Sequence, residues 1–238
     1  DELLEELNKH QIKYSIFDQV EPNPSIKTVE KAKDMYLDQK CEAIIAFGGG
    51  SPMDCAKIAG AKVTNPNKPV KSMKGLFRIR KDLPYLYAIP TTAGTGSETT
   101  AAAVISDTEN HQKFAIVSLK IVPKVAVLDP GLTKNLPSHI TSTTGMDALT
   151  HAIEAYIGVN KLKETDQMAI KATKLIFNNL EETYQNGDNI EARTNMALAS
   201  YYAGIAFTQA NVGYVHAIAH NMGGLYGVPH GLANAIIL

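Results

Sequence analysis

The sequence predicts an α/β domain built on a parallel sheet, followed by an all-helical domain. Short apolar runs such as Ala43-Ile-Ile-Ala-Phe47 end in loops rich in glycine or threonine, as buried parallel strands do where they deliver a ligand loop from their carboxyl ends. From about Ser138 onward the apolar period becomes helical and stays so. The change places a domain boundary between 130 and 138, dividing the chain into 1–134 and 135–238.

Composition narrows the class. The 238 residues are 45% hydrophobic and 20% charged, as in an ordinary globular chain. A net charge of −1 gives no electrostatic reason to expect nucleic acid or an anionic membrane as partner. No apolar run approaches a membrane span, and the N-terminus lacks a signal-peptide pattern. Cys41 and Cys55 are too few for a disulfide framework, which suits a reducing cytoplasm. The chain opens inside an amphipathic stretch and closes on the apolar run Leu232 to Leu238. Both ends therefore read as cuts in a longer protein.

Residues 1–11 read as a helix with Leu3, Leu4 and Leu7 on one face, and Tyr14 to Phe17 as a strand. Pro22-Asn-Pro24 breaks the chain, and Ser25 is a candidate N-cap for a helix to about Lys40. The strand Ala43 to Phe47, read as buried on both faces, runs into Gly48-Gly-Gly-Ser-Pro-Met-Asp54. Here Ser51 is expected to cap a helix, Pro52 suits its first turn and Asp54 sits near its positive end. Strand, glycine turn and helix N-terminus together make an anion site fit for a pyrophosphate. The match is neither the Gly-x-Gly-x-x-Gly fingerprint nor a Walker loop, so a tight turn without ligand is an even alternative. Cys55 and Lys57 read as structural.

Tyr85 to Ile89 is a second strand and ends in Pro90-Thr-Thr-Ala-Gly-Thr-Gly-Ser-Glu98. Two polar loops leaving neighbouring strand ends would line one crevice, where hydroxyls and glycines suit phosphate and ribose. A solvated loop is the plainer reading. Thr100 to Ile105, Lys113 to Ser118 and Val125 to Leu128 read as strands, with Asp107-Thr-Glu-Asn110 as a turn. Lys113 is either an ordinary surface lysine or one that reaches a cofactor. Helices follow at 138–157, 162–184, 189–209, 214–224 and from 230.

Chemistry concentrates in these helices. Asp147 and His151 are one turn apart and share a face. His216 and His220 repeat that spacing, and His230 follows a Gly/Pro turn. His10, His111 and His139 read as exposed. A lone helical histidine is usually structural. Three histidines grouped with a carboxylate suit a divalent ion such as Fe²⁺ or Zn²⁺. Spacing leaves open which of His216 and His220 is the ligand. Glu154, one turn from His151, reads as a surface glutamate, with an outer-sphere role as the alternative.

Gly48-Gly-Gly-Ser-Pro-Met-Asp54, Pro90-Thr-Thr-Ala-Gly-Thr95, Gly145-Met-Asp-Ala-Leu-Thr-His151, His216-Ala-Ile-Ala-His220 and Pro229-His-Gly231 together resemble the iron-containing (group III) alcohol dehydrogenases. The resemblance covers essentially the whole chain, in the family's order. It implies a Rossmann-like dinucleotide-binding domain and a metal-binding helical domain in a dehydroquinate synthase-like architecture. The family's first βα unit would lie before Asp1 and further helices after Leu238. The resemblance implies Fe²⁺ (or Zn²⁺) on Asp147, His151, His216 and His230, with His220 a catalytic non-ligand beside the nicotinamide. It implies cofactor contacts from Gly49, Gly50, Ser51 and Asp54, from Thr91, Thr92 and Thr95, and from Val104, Lys113 and Leu132. The implied reaction is reversible hydride transfer between a primary alcohol or diol and NAD, or NADP, in a cytoplasmic homodimer or higher oligomer. Alternatives are a glycerol dehydrogenase, a dehydroquinate synthase-like NAD and metal enzyme, a metal-dependent hydrolase, or a binding module without activity.

Overall fold

A computed structural model describes residues 2–238. Asp1, included in the first helix from sequence, lies outside them. Helix α1 (Glu2–Lys9) is followed by α2 (Ile26–Asp38), where Ser25 caps as expected, its side chain accepting from the Thr28 N–H. Between them Tyr14 to Phe17 form no strand. Among the described residues the segment has no ladder partner, and Tyr14 and Ile16 are exposed.

Strand β1 (Ala43–Gly48) leads into α3 (Gly50–Thr64). The helix N-cap is Gly49, not Ser51. Helical geometry begins two residues earlier, and the Ser51 hydroxyl instead accepts from the Asn23 N–H at 3.1 Å. Strand β3 (Tyr85–Pro90) lies between β1 and β6 (Val125–Ala126), and both pairings are parallel. The register sets Gly48 opposite Pro90, so both polar loops leave the same end of the sheet.

Ala46, Leu86 and Ala88 pack with Met53 of α3. The alternate residues Ile45, Phe47 and Tyr85 are 41%, 43% and 60% exposed, so the expectation of a strand buried on both faces does not hold. Helix α3 packs on one face of the sheet, and period-2 alternation sends these side chains to the other face.

The β4 (Ala102–Asp107) and β5 (Gln112–Val117) segments form an antiparallel hairpin around the expected Asp107–Asn110 turn. With the short β2 (Gly75–Leu76) they make a separate sheet, ordered β2-β5-β4, so the α/β part is not one parallel sheet. The inner face of the hairpin, Ala103, Ile105, Phe114 and Ile116, packs with Val29 of α2 and Ile58 of α3.

The helical region comprises α4 (Ser138–Ile157), α5 (Lys163–Gln185), α6 (Ile190–Ala210), α7 (Tyr214–Tyr226) and α8 (His230–Ile237). Helices α4, α5 and α6 share a core dominated by alanine, including Ala148, Ala152, Ala172, Ala199 and Ala203. Small side chains let the helix axes approach closely, which holds the α4 face carrying Asp147 in a fixed place. No described helix is long and apolar enough to cross a membrane.

Candidate metal centre

Helix α4 presents Asp147 and His151 from successive turns, and both are buried. Helix α7 brings His216, 2% exposed, against them, and α8 starts at His230. A Cβ on Gly231 would collide with the Thr143 carbonyl, so glycine is what allows the first turn of α8 to lie against α4. The Nε2 atoms of His216 and His230 both lie 3.5 Å from Asp147 Oδ1, and that of His151 lies 3.9 Å away. Asp147, His151 and His216 offer donor atoms within 4.8 Å of one another. The His151 ring stacks on Phe207, with centroids 4.1 Å apart, and on His216 at 4.4 Å. Its Nδ1 makes no hydrogen bond within normal limits.

Of the four expected ligands His230 is the outermost, with its side chain 39% exposed. His220 is exposed and stacks on His230 at 4.8 Å. The centre thus has a closed floor of Asp147, His151 and His216 and an open side at His230 and His220. That is the arrangement of a metal site that leaves a coordination position free.

The local charges suit a cation. Burial alone would raise the Asp147 carboxyl, but His151, His216 and His230 hold it well below the usual carboxylate range. Burial lowers His151 to about 4 and also lowers His230, against the pull of Asp147. His216 is raised: burial opposes its charge, but Asp147 and Glu154 outweigh that cost. A carboxylate beside largely neutral imidazoles is the donor set that Fe²⁺ or Zn²⁺ takes, and the remaining proton on His216 is one that a cation displaces. The residues present therefore fit the implied metal.

Two further residues belong to the centre. Glu154 is 3% exposed, not a surface glutamate. Its Oε2 lies 2.6 Å from His216 Nδ1, and its Oε1 accepts from the Val215 N–H at 2.7 Å. Asn234 is fully buried and donates from Nδ2 to Asp147 Oδ1 at 2.7 Å. The same Nδ2 lies 3.2 Å from His216 Nε2 and 3.3 Å from His230 Nε2. The available signal was its spacing, one helical turn after His230.

On the sheet side the two polar loops meet. An added Cβ on Gly49 would lie 3.4 Å from Thr92 Oγ1, and one on Gly50 would lie 3.1 Å from Thr95 Cγ2. Thr91 donates its N–H to the Gly48 carbonyl at 3.0 Å. Ser51 occupies the first turn of α3 beside them. Asp54 points inward: Ser97 Oγ donates to Oδ1 at 2.9 Å and the Val104 N–H to Oδ2 at 2.8 Å. Lys57, read as structural, is fully buried and donates to Ser97 Oγ, Thr100 Oγ1 and the carbonyls of Thr100 and Ala102. This network ties α3 to the threonine loop and to β4. Gly96, at φ +62°, lets that loop turn against α6, where a Cβ would lie 2.8 Å from Gly204 Cα. Lys113 on β5 is exposed, yet close enough to His220 and His230 to disfavour their charged forms. Leu132, half-buried in the turn Pro130–Thr133, lies on the connection from sheet to helices.

Comparison with known proteins follows the same division. A sequence model of the family described as "Iron-containing alcohol dehydrogenase" matches residues 1–130, and one described as "Fe-containing alcohol dehydrogenase family, C-terminal" matches 141–238. The chain is 44% identical over 238 residues to the 1,3-propanediol dehydrogenase of Citrobacter freundii, aligning over 100% of its own length and 61% of that protein's. It is 39% identical over 236 residues to the NAD-dependent methanol dehydrogenase of Bacillus methanolicus, covering 99% of this chain and 62% of that one. The solved structure of an alcohol dehydrogenase from Oenococcus oeni superposes with a TM-score of 0.96 at 42% identity, over 99% of this chain and 61% of that one. The chain thus spans about three fifths of the length of these relatives.

Proposed function

Because the chain belongs to the iron-containing alcohol dehydrogenase family, we propose that it carries the metal- and nicotinamide-binding parts of an enzyme moving hydride between a primary alcohol or diol and NAD(P). The observation that supports this most is the convergence on Asp147 Oδ1 of the Nε2 atoms of His151, His216 and His230, at 3.9, 3.5 and 3.5 Å.

Asp147 would supply the negative charge of the donor set, and His151, His216 and His230 the Nε2 atoms, around Fe²⁺ or Zn²⁺. When bound, the ion supplies Lewis acidity toward an alcohol or aldehyde oxygen, and the nicotinamide accepts or returns hydride. Phe207, stacked on His151, keeps water from the closed floor. Gly49, Gly50 and Ser51, at the N-terminus of α3, are assigned to the pyrophosphate, because unpaired backbone N–H groups and the helix dipole favour an anion there. Thr91, Thr92 and Thr95 offer hydroxyls to the same ligand. Asp54 shapes the site by anchoring Ser97 and Val104, and Lys113 and Leu132 flank the cleft. His220, exposed beside His230, is assigned as the catalytic group that passes the alcohol proton to solvent.

On this reading the domain boundary lies at 134/135 and the enzyme works in the cytoplasm as a homodimer or larger oligomer. The substrate is a small alcohol or its aldehyde, with no nucleic acid or membrane involved. The test is to incubate the purified protein, loaded anaerobically with Fe²⁺, with NAD and a series of short alcohols and diols. Accumulation of reduced nicotinamide is the expected result. Metal-dependent ester hydrolysis, with no reduced nicotinamide from any alcohol, would overturn the reading.

A further inference from the structure

The geometry points to Glu154 as a positioning residue that fixes His216 as an Nε2 ligand by accepting its Nδ1–H, an inference that rests on the metal-binding reading above. A neutral imidazole carries one N–H, and the partner of one nitrogen decides which. Glu154 Oε2 lies 2.6 Å from His216 Nδ1, with both side chains only 2% exposed. An ionised carboxylate has no donor to offer. The Nδ1 proton is thereby held in place, and Nε2, 3.5 Å from Asp147 Oδ1, is left as the nitrogen a cation can take. His151 is the contrast, since no carboxylate accepts from its buried Nδ1.

Glu154 also fixes the backbone that carries the ring. Helix α7 starts after Gly213 with no side-chain cap of its own. The Glu154 carboxylate, reaching across from α4, accepts the Val215 N–H at 2.7 Å and the His216 N–H at 3.4 Å. A Cβ on Gly213 would come within 2.8 Å of Oε1, so a side chain there would push the helix start off the carboxylate. One acceptor-only group therefore meets three N–H donors. Turning α7 enough to swing His216 away from Asp147 breaks all three contacts. An amide cannot replace it, because one end of a glutamine would present its own N–H to Val215 or to His216 Nδ1.

The test compares wild type, Glu154→Gln and Glu154→Ala in three measurements. These are the Kd for Co²⁺ by chelator competition, the ligand-field spectrum of the Co²⁺ form, and the ¹⁵N resonances of labelled histidine. Glu154→Gln is expected to bind Co²⁺ roughly 10- to 100-fold more weakly. With diamagnetic Zn²⁺ bound, wild-type His216 should show Nδ1–H alone, and Glu154→Gln should lose that single state. Glu154→Ala, if folded, should do the same. Co²⁺ affinity within twofold of wild type in Glu154→Gln, with an unchanged spectrum, would overturn the assignment and leave the metal site standing. A wild-type protein that takes up no Co²⁺ would overturn the metal reading, and this inference with it.

Discussion

Asn234 and Asp147 stand 87 residues apart in the chain and are joined by a 2.7 Å hydrogen bond from Nδ2 to Oδ1, wholly out of solvent. The bond locks α8 to α4, and with it the distance between His230 and the Asp147 carboxylate. Asn234→Ala removes a donor from a buried carboxylate and should cost roughly 1–3 kcal/mol. Asn234→Asp should cost more at neutral pH, because two carboxylates then face each other. A divalent ion that neutralises the pair should restore part of that loss by mass action. Urea titrations with and without Zn²⁺ check this. An Asn234→Asp protein as stable as wild type without the ion would show that Asp147 is not held as described.

Gly231→Ala isolates packing from ligand chemistry. Alanine favours a helix by about 1 kcal/mol over glycine when nothing else changes. Here its Cβ would strike the Thr143 backbone carbonyl, which cannot swing aside as a flexible side chain would. Helix α8 must move off α4, taking His230 with it. The expected result is at least tenfold weaker Zn²⁺ binding with the helical circular dichroism retained. Unchanged Zn²⁺ affinity would mean that His230 does not contribute to the site.

Glu98 gives a pH signature in the threonine loop. It is 3% exposed, and burial pushes its carboxyl from 4.5 to about 7, against the opposing pull of its backbone hydrogen bond and Lys57. A raised acid binds its proton more tightly in the folded state than in the unfolded one. Its stabilising contribution is therefore full below about 4.5 and is lost as pH rises through 7. Glu98→Gln keeps the shape and removes the titration. It should match wild type near pH 4.5 and exceed it near pH 7.5, by on the order of 3 kcal/mol. Denaturant midpoints at the two pH values check the sign. A constant offset would show that Glu98 ionises normally.

Which of these relationships could be read from sequence follows from their range. Helix α4 is found at its expected bounds, between Pro137 and Gly158, and α8 starts at His230 as expected, whereas α7 runs two residues past its expected end at 224, through Gly223 and Gly224, to stop at Gly227. The spacing of Asp147 and His151 is local, so their shared face was legible. Tyr14 to Phe17 carry a strand-like pattern, but a strand exists only by pairing, and pairing is not a property of the segment. Ile45 and Phe47 have the apolar character of a buried face, and burial depends on what packs there. Glu154 looked like surface because a charged residue in a helix usually is, and its three N–H partners come from α7, about sixty residues on. Asn234 sits in an apolar run whose only local hint is its distance from His230.

Spacing alone does not separate His216 from His220, and the structure does. Helix α7 turns His216 inward, with Nε2 3.5 Å from Asp147 Oδ1. One turn later His220 is exposed and meets the cluster by its ring faces, stacked on His230 at 4.8 Å and tilted against His216 at 6.1 Å. The two should therefore fail differently when replaced. His216→Ala removes a buried donor and leaves Glu154 facing a cavity, so metal content should collapse and activity with it. His220→Ala leaves the four donors in place. Metal content should stay near wild type while turnover falls by about 10²–10⁴, the range for removing a positioned proton-transfer group. Added imidazole, small enough to enter from the exposed side, should recover part of that turnover. Metal analysis beside steady-state rates separates the cases. Loss of metal from His220→Ala would make it a ligand, and unimpaired turnover would remove it from the proton path.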